Sequence, residues 1–437
     1  VQTCALPISA TPPLQIALLR LLQLRGDLAV APVVKTFAQH SDAGVRGAAI
    51  AALGTLGDAS AVELLATAAT ATNTAEQKAA RLALVELRRG DVAKTMIRQL
   101  PAAPSGVQGE LIRALTVRMD RGSTPQLIEL ARTGTPVARR AALRGLDQLA
   151  EPTHLPDLVK LLEAVPDEAA REAVQGVIEA LADRLPPDTA VDVSALVQGL
   201  NTTNLAVRTA LLQVGAFFAD PQLREAFRTA LRDTDPQVRF AAERAVCASR
   251  DVKLMPDLLA LAKNSTEPGL QAVALEGYVR LVGENDDNFP LARRVTLLKS
   301  AYEIARRPEE KRRVLAALGR APNLESLQVV EGIRNDAAVR PEAEATLARQ
   351  AKALLATEPT AALRVLQSLA ATSGSSAGHS RAQAMLKQFD SGWLYAGPYG
   401  PKGMEARALF DLDFEPELGQ VAEWRRAPGI ISASRSR

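Results

Sequence analysis

Aromatic side chains are scarce in this chain: 9 Phe, 4 Tyr and 2 Trp amount to 3% of 437 residues. Sheet cores lean on aromatic and β-branched residues, so the shortage favours a core of Ala, Leu and Val, which suits closely apposed helices. Cysteine and histidine are rarer still, at 2 and 3. That supply excludes a disulfide framework, a zinc-finger array and a cysteine-ligated iron–sulfur cluster. His40, His154 and His379 stand alone in sequence, without the ligand spacing of a zinc site. No apolar run reaches the roughly 18 residues that a membrane helix needs. A charge excess of one sign is missing as well. Lys+Arg total 52 and Asp+Glu 49, a formal net charge of +3, which argues against a chain built as a whole to coat nucleic acid. Hydrophobic residues at 47% and charged residues at 23% exclude global disorder. Neither of the glycine-rich motifs that cradle phosphates occurs, and no cofactor is implied.

What the chain has in quantity is repetition. Residues 44–53, 137–146, 206–212 and 237–246 align on a Val-Arg or Ala-Arg pair followed by Ala and Leu, and weaker copies lie at 76–84, 107–115, 173–181, 270–278 and 310–318. Their reference residues are 45, 76, 107, 138, 173, 207, 238, 270 and 310, so the step is 31 to 35 residues, with one of 40. Steps of this size mark a supersecondary unit. Apolar residues at i, i+4 and i+8, as in Val45, Ala49, Leu53 and in Ala138, Ala142, Leu146, predict a helix. Asp42 and Asp235 stand where a helix cap belongs, Pro236 fits the first helical position, and Gly57 or Glu151-Pro152 marks a stop. A second, shorter amphipathic helix follows, for example 155–162. Such a pair cannot bury both apolar faces alone; stacking pairs in a row does. The expected fold is all-α: an α/α superhelical solenoid of roughly ten helical hairpins over residues 10–371, with a short β-rich C-terminal fragment.

The grammar Asp42-Ala43-Gly44-Val45-Arg46 and Asp235-Pro236-Gln237-Val238-Arg239, together with the period and a following Ala49-Ile50-Ala51-Ala52-Leu53-Gly54, resembles HEAT repeats of the short bacterial type. The resemblance implies that Asp42, Arg46, Arg139, Arg208, Asp235 and Arg239 tie adjacent repeats together and are structural. Asn204 stands in place of the nearer acid in one copy, and several copies lack the Arg.

The two ends depart from the repeat. Residues 1–9 do not share its helical grammar and read as a non-native scar. Residues 372–378 are small and polar and read as a linker, followed by a short helix over 380–389. Both Trp and two of the four Tyr then fall within 392–424. Trp393, Gly397-Pro398-Tyr399, Phe414-Glu415-Pro416-Glu417 and Trp424 are similar to the opening of a galactose-binding-like jelly-roll module. About 40 residues cannot close a sandwich of roughly 100, so 391–428 is expected to be a truncated β-module, with a disordered Ser/Arg-rich tail over 429–437. That resemblance implies a periplasmic or extracellular setting.

Catalytic signals are weak. Gly374-Ser375-Ser376-Ala377-Gly378 has the letters of a nucleophile elbow, but no strand precedes it and His379 is merely its neighbour. Cys247 follows Val246 on an apolar stretch and reads as core. Glu284-Asn285-Asp286-Asp287-Asn288 lacks EF-hand spacing and reads as a solvated loop. One charged stretch stands out. Residues 289–320 hold nine bases against three acids, and Arg293, Arg294, Lys299, Arg306, Arg307, Lys311, Arg312 and Arg313 form a candidate patch for an acidic protein or polymer. Nucleic acid is disfavoured, because Tyr302 alone interleaves the bases. The expected function is a non-catalytic scaffold that binds protein partners or spaces them. The alternatives are a fragment of a larger extracytoplasmic bacterial enzyme, sugar-directed, whose catalytic domain lies elsewhere, and a nucleic-acid-binding repeat protein.

Overall fold

Every reference motif lies inside a helix of the computed structural model, which describes residues 10–186, 189–284, 289–372 and 376–390 and the strand pair Leu394–Tyr395 and Arg425–Arg426. The reference helices are Ala43–Leu56, Thr74–Glu86, Ser105–Val117, Pro136–Leu149, Glu168–Asp183, Leu205–Gly215, Pro236–Ala248, Pro268–Glu284 and Pro308–Leu318. Further helices of the same kind are Pro12–Arg25, Arg340–Leu354 and Ala377–Asp390. Asp42, Asn73, Asp167, Asn204 and Asp235 each accept a hydrogen bond from a backbone N–H of the turn they precede. Those side chains satisfy donors that the first turn leaves orphaned. The step of 40 arises because two consecutive helices are long: 17 residues in Pro268–Glu284 and 14 in Leu291–Ile304.

The chain forms two compact units, Val1–Arg250 and Asp251–Arg437. The first holds seven complete hairpins and the helix Pro236–Ala248. Its second helices run Ala31–Phe37, Val62–Ala68, Val92–Gln99, Thr124–Thr133, Leu155–Ala164, Ser194–Gly199 and Pro221–Ala230. The second unit opens with Met255–Asn264. Three hairpins follow, with second helices Leu291–Ile304, Leu324–Ile333 and Pro359–Ala370, and Ala377–Asp390 closes the layer. Within each unit consecutive reference helices pack on one another in chain order, and the second helices form a parallel layer. Each unit stacks its helices as an α-solenoid. Its core is Leu, Val and Ala; Ala49, Ala80, Ala142 and Ala242 are fully buried. Small residues bring the axes close. At Gly54 a Cβ would stand 2.9 Å from the Cα of Ala83 on the next helix, so no larger residue fits without parting the pair.

The last helix begins at Ala377, three residues before the expected Ser380, because the Ser376 hydroxyl accepts from the His379 N–H at 3.1 Å and caps it. It packs on Arg340–Leu354 and Pro359–Ala370, so the stacking runs past the small, polar stretch read as a linker. Leu394–Tyr395 pairs antiparallel with Arg425–Arg426. The jelly-roll reading of 391–428 otherwise concerns residues outside those described, as do the scar at 1–9, the tail at 429–437 and the loop at 285–288.

Candidate interaction surface

The four stacking arginines occupy one register, and three of them reach back to the segment before their own helix. Arg46, Arg139, Arg208 and Arg239 are each the fourth residue of a reference helix. From there a long side chain can reach back to the loop that leads into its own helix. Arg46 Nη1 donates to the His40 and Ser41 carbonyls, both at 2.8 Å. Arg239 Nη1 donates to those of Asp233 and Thr234 at 2.7 and 2.9 Å. Arg139 donates to the Ala131 and Gly134 carbonyls. In three repeats without Arg, glutamine fills the register: Gln77 donates to the Ala71 carbonyl, Gln108 to that of Leu100 and Gln271 to that of Ser265. The amide reproduces the tie to the loop but carries no charge.

The charge reaches the next repeat. Arg46 bonds the Glu76 carboxylate at 3.1 to 3.3 Å, and Arg208 bonds that of Asp233 at 2.6 Å. Asp42 and Asp235, by contrast, accept from the first turn of their own helices. Asp233 draws three of the candidates together. Its carboxylate takes Arg208 and the Asp235 N–H, and its carbonyl takes Arg239. Those bonds, the Asp235 N–H first, hold its pKa below the usual carboxylate range. A partner pair at another register, Arg81 to Glu110 at 2.9 Å, crosses the following junction. Burial pushes the Glu110 carboxyl up, but Arg81 and Arg113 together outweigh it, and the group titrates below its ordinary value.

Arginines just past the reference helices had no motif to announce them. Arg118 Nη1 donates to the Val85 and Leu87 carbonyls at 2.8 and 2.7 Å, Arg89 to that of Leu56 at 3.2 Å, and Arg184 to that of Ala150 at 2.8 Å. Each places a cation on the carbonyl end of the preceding reference helix, where the helix dipole is negative. The signal available in the sequence was only a basic residue after some of the stops, as at Arg89, Arg118 and Arg184.

The basic stretch of the second unit is largely engaged with its surroundings. Lys311 holds the same fourth-residue register as the arginines above and donates to Asp336 at 2.6 Å. Arg307 binds Glu310 at 2.7 Å, Arg312 binds Glu342 at 2.7 Å, and Arg313 pairs with Glu276 at 2.9 Å. Arg306 donates to Gln271 and to the Lys263 carbonyl. Burial raises the Glu310 pKa, yet Arg307 and the backbone N–H groups of the turn hold it below the carboxylate range. Arg293 and Lys299 are exposed and Arg294 is partly so. The stretch looked strongly cationic because its linear window omits Glu276, Asp336 and Glu342, which the packing brings in from neighbouring helices and the loop after Leu324–Ile333.

Asp336, the partner of Lys311, lines an open groove between Leu291–Ile304 and Leu324–Ile333. It encloses about 490 Å³ and is lined by Lys299, Tyr302, Glu303, Glu325, Gln328, Val329, Gly332, Ile333 and Asp336. The Tyr302 hydroxyl donates to Asp336 Oδ2 at 2.9 Å, and the Lys311 ammonium lies 5.6 Å from the Tyr302 ring centroid. Lys311 first, then the Ala338 N–H and the Tyr302 hydroxyl, hold the Asp336 carboxyl down to about 2. Burial and the Asp336 charge push the Tyr302 hydroxyl well above its ordinary 10.0. This arrangement fixes an aromatic ring and a carboxylate in place at the mouth of a half-apolar groove. A second open groove, about 640 Å³, lies in the first unit between Ala31–Phe37 and Val62–Ala68, with Lys35 and Arg89 at its rim.

The remaining chemical candidates serve the framework. His40 Nδ1 accepts from the Asp42 N–H, and His154 Nδ1 from the Glu151 N–H. His379 Nδ1 lies 3.1 Å from the Leu369 carbonyl. Cys247 is buried. Gly378, the last residue of the elbow-like string, is pressed against the Glu344 backbone, and the Ser376 hydroxyl donates to the Glu344 carboxylate. Among the described residues no three His, Cys, Asp or Glu side chains group as metal ligands, and no helix is long and apolar enough to cross a membrane.

The family model for HEAT repeats matches residues 6–85 and 193–278, the stretches that contain Asp42, Arg46, Arg208, Asp235 and Arg239. These two stretches carry HEAT repeats. No curated protein matches it. Among solved structures it is similar to Kap121p, at 10% identity and a TM-score of 0.47, over 82% of this chain and 45% of that one. It is also similar to Kap95p of a RanGDP complex, at 13% identity and a TM-score of 0.45, over 83% and 57%. An AP-3 complex in an intermediate open conformation gives 12% identity and a TM-score of 0.46, over 88% and 85%. The chain therefore spans 45% of the length of the first of these proteins.

Proposed function

We propose that this chain is a non-catalytic protein-interaction scaffold, and that its second-helix layer carries the contact surface. The observation that carries the reading is the groove between Leu291–Ile304 and Leu324–Ile333. Its ring, carboxylates and apolar floor stand ready at a surface open to a macromolecule. The polar side chains of the reference register are spent on their own loops and on the next repeat. Holding side chains in place before a partner arrives lowers the ordering cost of binding. A polyanion partner gains little support, since most of the candidate cations already have protein partners.

A photo-crosslinking residue at Gln328, in the groove, tests the reading against the same residue at Ala316, exposed on the reference-helix layer of the same unit. Capture concentrated at Gln328 and reduced by Glu325→Lys is the expected outcome. Equal capture at the two positions refutes it.

A further inference from the structure

The basic stretch of the second unit opens onto a groove of the opposite charge. One ammonium, Lys299, lines the space between Leu291–Ile304 and Leu324–Ile333, against the three carboxylates of Glu303, Glu325 and Asp336. Asp336 is held by Lys311 and the Tyr302 hydroxyl. Glu303 and Glu325 are exposed, and neither makes a hydrogen bond or an ion pair with another described residue. The bases around them are committed elsewhere: Arg307 to Glu310, Arg312 to Glu342 and Arg313 to Glu276.

The shape of the groove is as selective as its charge. Ile333 is buried and Val329 partly so, which gives an apolar floor. Beside them Gly332 leaves a notch: no atom lies within 4 Å of where its Cβ would stand. The free carboxylates mark the two ends. Glu325 lies in the first turn of its helix, and Ile333 stands about 12 Å further along the axis. Glu303 follows Tyr302, whose hydroxyl reaches Asp336 just beyond Ile333, so Glu303 belongs to that far end. Neighbouring helix axes stand about 8–10 Å apart, and a helix with its side chains is about 10–12 Å across. The space between two packed helices is too narrow for a third to sink into, whereas alternate side chains of an extended segment fit it.

We infer that this groove takes an extended segment of a partner protein that carries a basic, an apolar and a second basic residue at alternate positions. In a strand such side chains share a face, and the first and last stand about 13 Å apart, which matches the spacing of the two carboxylate ends. The apolar side chain covers Val329 and Ile333 at the Gly332 notch, and the two cations meet Glu325 and Glu303. The buried apolar contact supplies affinity; the charges set direction and exclude acidic segments. The inference rests on the groove being the contact surface and adds the partner's chemistry, which is the reverse of what the linear charge count over 289–320 suggested.

The test uses the full chain and three fluorescent peptides, which carry Arg-Ser-Leu-Ser-Arg, Glu-Ser-Leu-Ser-Glu or Arg-Ser-Ser-Ser-Arg in a flexible Gly/Ser frame. Anisotropy is expected to show the first binding at least about tenfold more tightly than either of the others. Glu303→Gln with Glu325→Gln should weaken it at least about tenfold. Gly332→Leu, which fills the notch from an exposed position, should do the same while far-UV circular dichroism and melting hold. Glu267→Gln with Glu358→Gln, the same change of charge at exposed positions outside the groove, should leave binding within about twofold. Equal binding of the Arg and Glu peptides, binding that survives loss of the leucine, an equal effect of the two glutamate pairs, or no binding at all overturns the inference. The photo-crosslink at Gln328 separates that failure from failure of the groove reading. Capture at Gln328 that the Arg-Ser-Leu-Ser-Arg peptide does not compete away overturns only the partner's chemistry, whereas equal capture at Gln328 and Ala316 removes the groove itself.

Discussion

Arg46 is the clearest place to test how the repeats are joined. Its guanidinium carries two separable jobs: it ties the loop at His40 and Ser41, and it pairs with Glu76 on the next helix. The arginine side chain is 27% exposed and the glutamate 11%, so water screens the pair only in part. Hydrogen bonds to charged groups contribute about 1.5–3 kcal/mol each when buried, and exposed ion pairs about 0–1 kcal/mol. Arg46→Ala removes both jobs and leaves Glu76 with little solvent; its expected cost is about 2–3 kcal/mol. Arg46→Gln should cost only about 1 kcal/mol, because glutamine already ties the loop at this register in Gln77 and Gln271. A double-mutant cycle with Glu76→Gln isolates the inter-repeat part, expected near 1 kcal/mol. The assay is urea unfolding joined to hydrogen exchange on the amides of Ala43–Leu56 and Thr74–Glu86, since a repeat array can open locally. Lys94→Ala, which breaks an exposed pair with Asp91, is the control and should stay within about 0.5 kcal/mol of the parent. If Arg46→Ala matches that control, or if Gln is no better than Ala, the register does not join repeats in the way described.

Three other outcomes are expected. Asp336 should titrate near 2 by carboxyl NMR. Lys311→Met should move that midpoint upward, and Tyr302→Phe should do so by less. Because the folded pKa lies below the unfolded one, the stability this group supplies is present above the ordinary carboxylate range and is lost as pH falls from about 4 toward 2. Gly378→Ala should loosen the last helix, since a Cβ there would lie 2.5 Å from the Glu344 carbonyl; faster proteolysis between Ala371 and Ala377, with the rest of the second unit intact, is the readout. Duplex DNA should bind weakly in anisotropy even at low salt, because Arg307, Lys311, Arg312 and Arg313 already hold carboxylates; a steep salt dependence abolished by Arg312→Glu and Arg313→Glu would contradict this.

The repeat period, the helix type and the helix starts were legible from the residues themselves. They depend on local rules: apolar spacing for a helical face, Asp or Asn before the first turn, Pro at its start. Asp42, Asn204 and Asp235 cap where their positions said they would. The fourth-residue arginines were also visible as a recurring letter. Their acceptors were not: Glu76 and Asp233 belong to the following repeat and share no motif with Arg46 and Arg208. The same limit explains the basic stretch. A window along the chain counts charges that are neighbours in sequence, whereas Glu276, Asp336 and Glu342 become neighbours only when helices pack. Glutamine at the shared register looked like a lost arginine, and only the loop carbonyls it reaches give it a task. Local backbone chemistry acts over a few residues and is therefore written in the sequence. Which side chains meet across helices is set by how the hairpins stack, and only the tertiary structure decided it.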